Sequence, residues 1–171
     1  VAIVYTLDTQ YGDFTFKYNG SFTDEFSQEA TAQFAAMQAL ADNGTIPENI
    51  PLQGFGDLLG KDGSLEEKHS YKIYYSAGDW GASLSGLTKG DFVQSKFGTV
   101  NGVGYTIPEM TTMDLAVWGK FDLGGKDARV KYTIKNFEDE RAPLADGYQG
   151  YFSDIHQDLG MIHQLELRVR F

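Results

Sequence analysis

The chain has 171 residues, enough for one ordinary domain, and its 24 acidic against 14 basic residues give a formal net charge of −10. A surface that holds nucleic-acid phosphates needs a basic face, so nucleic acid is not expected as a partner. There is no cysteine, which removes disulfide frameworks, thiolate zinc sites and cysteine nucleophiles together, and no run of about 18 apolar residues that would make a transmembrane helix.

Aromatic residues reach 14%, and 20 glycines stand against 4 prolines, a composition that favours strands and tight turns. The chain opens inside a strand, Val1 to Asp8, with no methionine and no charged lead-in; this reads as a chain broken out of something longer. A second strand is expected from Asp13 to about Gln28, with Phe14, Phe16, Tyr18 and Phe22 on one face and Thr15, Lys17, Asn19 and Ser21 on the other. Glu29 to Asp42 predicts a short helix, with Phe34, Met37 and Leu40 at helical spacing, stopped by Asn43-Gly44. Its apolar stripe is read as packing on its own loop and not as a ligand site. Pro47 and Pro51 keep the next segment extended.

The third strand runs from Lys68 to Ser76, the fourth from Trp80 to about Val93, and the fifth from Met110 to Phe121. The sixth, Ala128 to Lys135, sets Val130, Tyr132 and Ile134 against Arg129, Lys131 and Thr133. The last, Met161 to Phe171, alternates most cleanly: Leu165, Leu167, Val169 and Phe171 on one face, Gln164, Glu166, Arg168 and Arg170 on the other.

The connections decide the architecture. Residues 9–12, 77–79 and 122–127 are tight turns carrying Gly and Asp, whereas 29–67, 94–109 and 136–160 are long. Short and long alternate without exception, as periplasmic turns and extracellular loops do in outer-membrane barrels. A soluble sandwich would show Greek-key jumps instead. The fold class expected is therefore all-β: a transmembrane antiparallel β-barrel segment of about seven strands, with one short helix in an extracellular loop. Single-chain bacterial barrels have even strand numbers, and an open sheet in lipid leaves two edges of unsatisfied backbone groups, each group costing several kcal/mol. Other strands are expected to complete the cylinder. The side of the short turns, where Phe171 ends, is expected to be periplasmic.

Several runs resemble TonB-dependent outer-membrane receptors. They are Leu7-Asp8-Thr9 with Gly12-Asp13-Phe14, the hairpin Ala77-Gly78-Asp79-Trp80-Gly81-Ala82-Ser83-Leu84, and Thr112-Met113-Asp114-Leu115. Asn136-Phe137-Glu138-Asp139-Glu140-Arg141-Ala142-Pro143 is similar to a segment near the end of these receptors, with Glu138 an extra acidic residue. The resemblance spans nearly the whole chain, and the order and spacing of the runs carry it. It implies that residues 1–171 are the C-terminal part of the barrel, that the barrel has about twenty-two strands, and that a plug domain lies outside this chain. It implies a multi-pass outer-membrane location, import of a siderophore, cobalamin, haem or carbohydrate, and energy from the TonB–ExbB–ExbD complex through the plug. It also implies contact with lipopolysaccharide and lipid, room for a surface lipoprotein as lid, and a terminal strand (Leu165, Leu167, Val169 and Phe171) read by the barrel-assembly machinery.

No catalytic constellation or cofactor motif stands out, so no enzymatic activity is expected. His69, His156 and His163 are scattered, without the convergent ligand set a metal requires. Gly102-Val103-Gly104 lacks the third glycine and helix of a dinucleotide site. The 29–67 loop holds seven acidic residues and the 136–160 loop six, each with one basic residue; this reads as solvation and cation bridging, or as a mouth attracting cationic or metal-loaded ligands. Lys17, Lys72, Arg129, Lys131, Arg168 and Arg170 fall on the polar strand face, hence the lumen. Tyr148, Tyr151 and Phe152 are the candidate ligand-binding aromatics, able to stack on a sugar or an aromatic siderophore or to pack their own loop. Two other readings stay open: a piece of a porin or barrel enzyme, without a plug, and a soluble carbohydrate-binding β module.

Overall fold

The computed structural model describes residues 1–47, 52, 54–95 and 104–170; Pro51, Gly102 and Val103 and the terminal Phe171 lie outside them. In chain order the elements are β1 (Ala2–Thr9), β2 (Gly12–Phe22), β3 (Ser27–Gln28), α1 (Ala32–Asp42), β4 (Gly56–Asp57), β5 (Glu67–Ala77), β6 (Trp80–Lys89), β7 (Phe92–Gln94), β8 (Tyr105–Ile107), β9 (Met110–Asp122), β10 (Asp127–Lys135) and β11 (Ile162–Val169).

One seven-stranded sheet dominates, in the order β1-β2-β5-β6-β9-β10-β11, every pair antiparallel. Each main strand lies beside the next main strand of the sequence. Connections of 2, 2 and 4 residues therefore fall at one end, and the long ones at the other. The short turns carry their own chemistry. Gly78 takes φ 55° between β5 and β6, and Asp122 accepts a hydrogen bond from the amide of Gly125, itself at φ 80°.

Alternation sorts the side chains almost completely. Following the register, one face carries Ile3, Tyr5 and Leu7, then Phe14, Phe16 and Tyr18, then Tyr71, Ile73 and Tyr75, and so on to Leu165 and Leu167. Its only formal charge is Glu67, at the rim. The opposite face holds nine cations and six carboxylates within the strands. Six gaps of about 4.8 Å and strands of about 25 Å give each face roughly 700 Å². The apolar face is uncovered: Ile73, Leu115, Val117 and Tyr132, all on interior strands, are exposed. An apolar patch of this size exceeds the few hundred Å² usual on a soluble monomer.

Apart from Ala128, the packed side chains lie elsewhere. Met110, Ala116 and Trp118 are buried on the polar face, and Phe92, Ile107, Gln94 and His156 in the connections at the long end. β1 and β11 are the sheet's two edges, each hydrogen-bonded on one side among the described residues, and nearly all their residues are exposed.

Four elements differ from the sequence expectation by more than one residue at an end. The second strand leaves the sheet at Phe22, not Gln28; Ser27 and Gln28 pair with Asp57 and Gly56 in a small ladder of their own. The helix begins at Ala32, not Glu29, because the Thr31 hydroxyl caps it by accepting from the Phe34 amide at 3.4 Å. The fourth strand ends at Lys89, not Val93; past Gly90 the chain turns away and Phe92–Gln94 pairs with Tyr105–Ile107. The last strand spans Ile162–Val169 within the expected Met161–Phe171.

Candidate functional site

The two regions with built chemistry are the polar face and the loop cap at its long-connection end. The cap joins three connections. The amides of Asp62 and Val93 donate to the carbonyls of Val93 and Gly60, at 2.8 and 2.7 Å, and Asp62 accepts from the amide and hydroxyl of Ser95. Gln94 is 1% exposed and exchanges two hydrogen bonds with the backbone of Asp146, at 2.7 and 2.8 Å. Phe92 meets Phe152 edge-on at 5.1 Å and stacks with His156 at 6.0 Å. Leu87, Met110 and Ile162, apolar residues on the polar face, line a cavity with Gln157 and Leu159 of the last connection, so the cap bends over this face. That accounts for their breaking the polar pattern.

His156 is 1% exposed, and neither ring nitrogen has a hydrogen-bond partner. Burial, and then the Lys89 ammonium nearby, push its pKa below the ordinary value. The Lys89 ammonium is anchored beside it, donating to the Ile155 carbonyl.

The 136–161 connection is held by its acidic residues. Asn136, at φ 48°, brackets Glu140: its amide group donates to the Glu140 carbonyl at 2.8 Å and its carbonyl oxygen accepts from the Glu140 amide at 3.0 Å. Asp114 of β9 accepts from the Asn136 amide, and Asp139 from that of Met161. Arg141 grips Asp158 through two hydrogen bonds of 2.7 and 2.6 Å. These, with a bond from the Ala142 amide, hold the Asp158 carboxyl down to about 2.

Of the three candidate aromatics, Tyr148 is fully exposed at the loop tip, Tyr151 is bridged to Leu144, and the Phe152 ring is occupied by Phe92. The structure thus brings Phe152 into the cap and does not gather the three into one platform. In the terminal strand Leu165 and Leu167 stand exposed on the apolar side of β11 with Val169 half-buried; Phe171 lies outside the described residues. Sequence reasoning missed the cap, whose partners Gly60, Val93, Asp146 and His156 are far apart in the chain. Among the described residues no group of three or more His, Cys, Asp or Glu is placed to hold a metal ion.

On the polar face, Lys17, Lys72, Arg129, Lys131 and Arg168 share one side as expected. Trp118 fills its centre, stacked on Tyr74 at 4.7 Å, with the Arg129 guanidinium 5.4 Å above its ring. The chain matches no family model, no curated protein and no solved structure.

Proposed function

We propose that this chain is a wall segment of an outer-membrane β-barrel, its apolar face against lipid and its polar face lining the lumen, in a TonB-dependent receptor that imports a scarce nutrient. The observation that carries the reading is the separation of faces across seven strands, with the apolar one left uncovered. Lipid is the medium in which such a face is satisfied, and a barrel is the form in which strands tolerate it. Strands of 8 to 13 residues suit a tilted crossing of the hydrocarbon layer, which needs about 9–11.

Further support comes from the rims. Tyr75 and Trp80 pack at 5.2 Å on the apolar face by the short turns, with Phe14 4.7 Å from Tyr75. Toward the other rim, Tyr18 bonds His69 at 2.8 Å, and Tyr132, level with Val117, reaches toward that rim to bond His163 at 2.6 Å. Aromatic girdles at both boundaries of an apolar band are the habit of membrane barrels. The exposed edges β1 and β11 call for further strands to close the wall, and the cap bending over the polar face narrows the mouth of the lumen. The receptor reading, with a plug and TonB-derived energy, rests on the sequence runs described above.

The intact protein in its native membranes tests the reading in two steps. Alkaline carbonate or urea should leave it in the membrane, and its mobility on SDS gels should change on boiling; release by the wash refutes the barrel. Uptake of labelled ferric siderophores, cobalamin, haem and oligosaccharides should then require both this protein and TonB. Retention of all uptake without TonB would make it a passive pore.

A further inference from the structure

The middle of the last connection, residues 146–157, is tied to the rest of the cap at three places. Gln94 holds the backbone of Asp146, Lys89 donates to the Ile155 carbonyl, and the rings of Phe152 and His156 lie against Phe92. The base of the same connection is held separately, by the Asn136 bracket and the Arg141–Asp158 clamp. Of the three ties the imidazole is the odd one. Buried polar side chains ordinarily find partners, yet both ring nitrogens of His156 are buried without one. Orphaned nitrogens are tolerable on a neutral ring and far more costly on a charged one.

We propose that His156 is an acid latch: its neutral ring docks residues 146–157 on the cap, and protonation undocks them and widens the mouth above the polar face. The inference rests on the reading of that face as lumenal. The Lys89 ammonium lies beside the ring from β6, with Lys68 directly opposite it on β5. β7 and β8 carry no charge, and Lys61, bridged to Val93, donates to the Asp57 carbonyl. The carboxylates of the cap are engaged or turned outward. Asp62 is bonded to Ser95 and Asp158 to Arg141, while Glu66, Asp91, Glu109, Asp146 and Asp154 are exposed. A proton on His156 therefore arrives beside an ammonium and away from water. It strains two of the three ties at once, the stack on Phe92 and the bond from Lys89 to the residue before. Histidine is the side chain whose ordinary titration falls between about pH 5 and 8, so mild acid is enough to work the latch.

Residues 1–171 hold no cysteine, so an introduced thiol reports on the cap. Met110, 5% exposed, lines the cavity beside Gln157 and Leu159. In native outer membranes Met110→Cys is treated with a charged methanethiosulfonate, and labelling of that peptide is followed by mass spectrometry. Its rate is divided by that of Tyr148→Cys at the exposed loop tip, which cancels the pH dependence common to thiols. The ratio should rise at least about threefold between pH 7.5 and 5.5, with the heat-modifiable mobility unchanged. Leu87→Cys, in the same cavity, should show the same rise. His156→Phe should abolish it, and Lys89→Met should give a smaller rise from a higher start. A ratio that ignores pH at both reporters, or a rise that persists in His156→Phe, overturns the latch. So does a rise that comes with loss of the heat-modifiable mobility, because the wall and not the cap has then opened. A flat ratio in a protein that resists the urea wash refutes this inference alone, whereas release by the wash refutes the barrel.

Discussion

Trp118 lies directly across from Gly81, and its indole occupies the space a side chain at that position would take. A Cβ on Gly81 would sit 2.2 Å from the indole Cζ2 and 2.5 Å from the Tyr75 carbonyl oxygen. The same device recurs on the opposite face, where Tyr71 covers Gly86 across β5 and β6. A ring from the neighbouring strand shields the bare backbone and supplies the packing that glycine lacks. Gly81→Ala should therefore cost about 1–3 kcal/mol, the usual range for overpacking. Gly119→Ala, with nothing within 4 Å of the added methyl, should cost much less. Denaturant unfolding of the two variants in detergent checks this; equal losses would mean the indole moves aside freely.

The Asn136 bracket should be sensitive to both backbone and side chain. Asn136→Ala loses two hydrogen bonds to Glu140 and places alanine at φ 48°. Together these should cost about 1–3 kcal/mol. Asn136→Gly keeps the conformation and loses only the bonds, so it should fall between the alanine variant and the parent protein.

Asp158 gives the 136–161 connection an acid limit. Its carboxyl is held at about 2 in the folded protein, against 3.8 ordinarily. A depressed acid stabilises above its unfolded pKa and loses that contribution as the pH falls through the folded one. The Arg141 clamp should hold at pH 4 and above, and release as the pH drops toward 2. Protection of the Ala142 amide, relative to its intrinsic exchange, should fall over that interval, and Asp158→Asn should lack that protection at every pH.

His156 sets a second, milder limit, in the cap. Its pKa is lowered by burial and by Lys89, so the folded cap holds the neutral ring. The cap is at full stability above the ordinary value of 6.5 and weakens as the pH falls below it. Protection of the Val93 and Asp62 amides, relative to their intrinsic exchange at each pH, should fall by at most about tenfold per pH unit there. His156→Phe, which keeps a ring against Phe92, should remove that dependence; a dependence that persists would move its source to another group.

The main strands were legible because each buries or exposes alternate residues over eight or more positions, and that period survives any error in register. The breaks after Phe22 and Lys89 were not, since Phe26 and Phe92 keep the parity of the apolar face while the hydrogen-bonding partner changes. The cap was illegible for the same reason: Gln94 finds Asp146, and Phe92 finds His156, across more than fifty residues. The cations of the polar face were visible one by one. That Lys120, Arg129 and Arg168 form one row depends on the register of three strands, which turn lengths alone do not fix.

The two faces make opposite predictions for the same substitution. Val117 is 46% exposed in the apolar face, and Thr133 stands one residue pair away on the polar face, opposite Ala116. Arginine at the lipid-facing middle of a barrel costs about 2–4 kcal/mol, because the charge must be drawn out of hydrocarbon, whereas a lumenal position keeps it in water. Val117→Arg should therefore lower the folding free energy in lipid vesicles by about that amount, and Thr133→Arg by under about 1 kcal/mol. In water neither face is hydrocarbon, and the two arginines would be tolerated alike. Equal, small losses in vesicles would accordingly mean that the apolar face does not meet lipid at Val117.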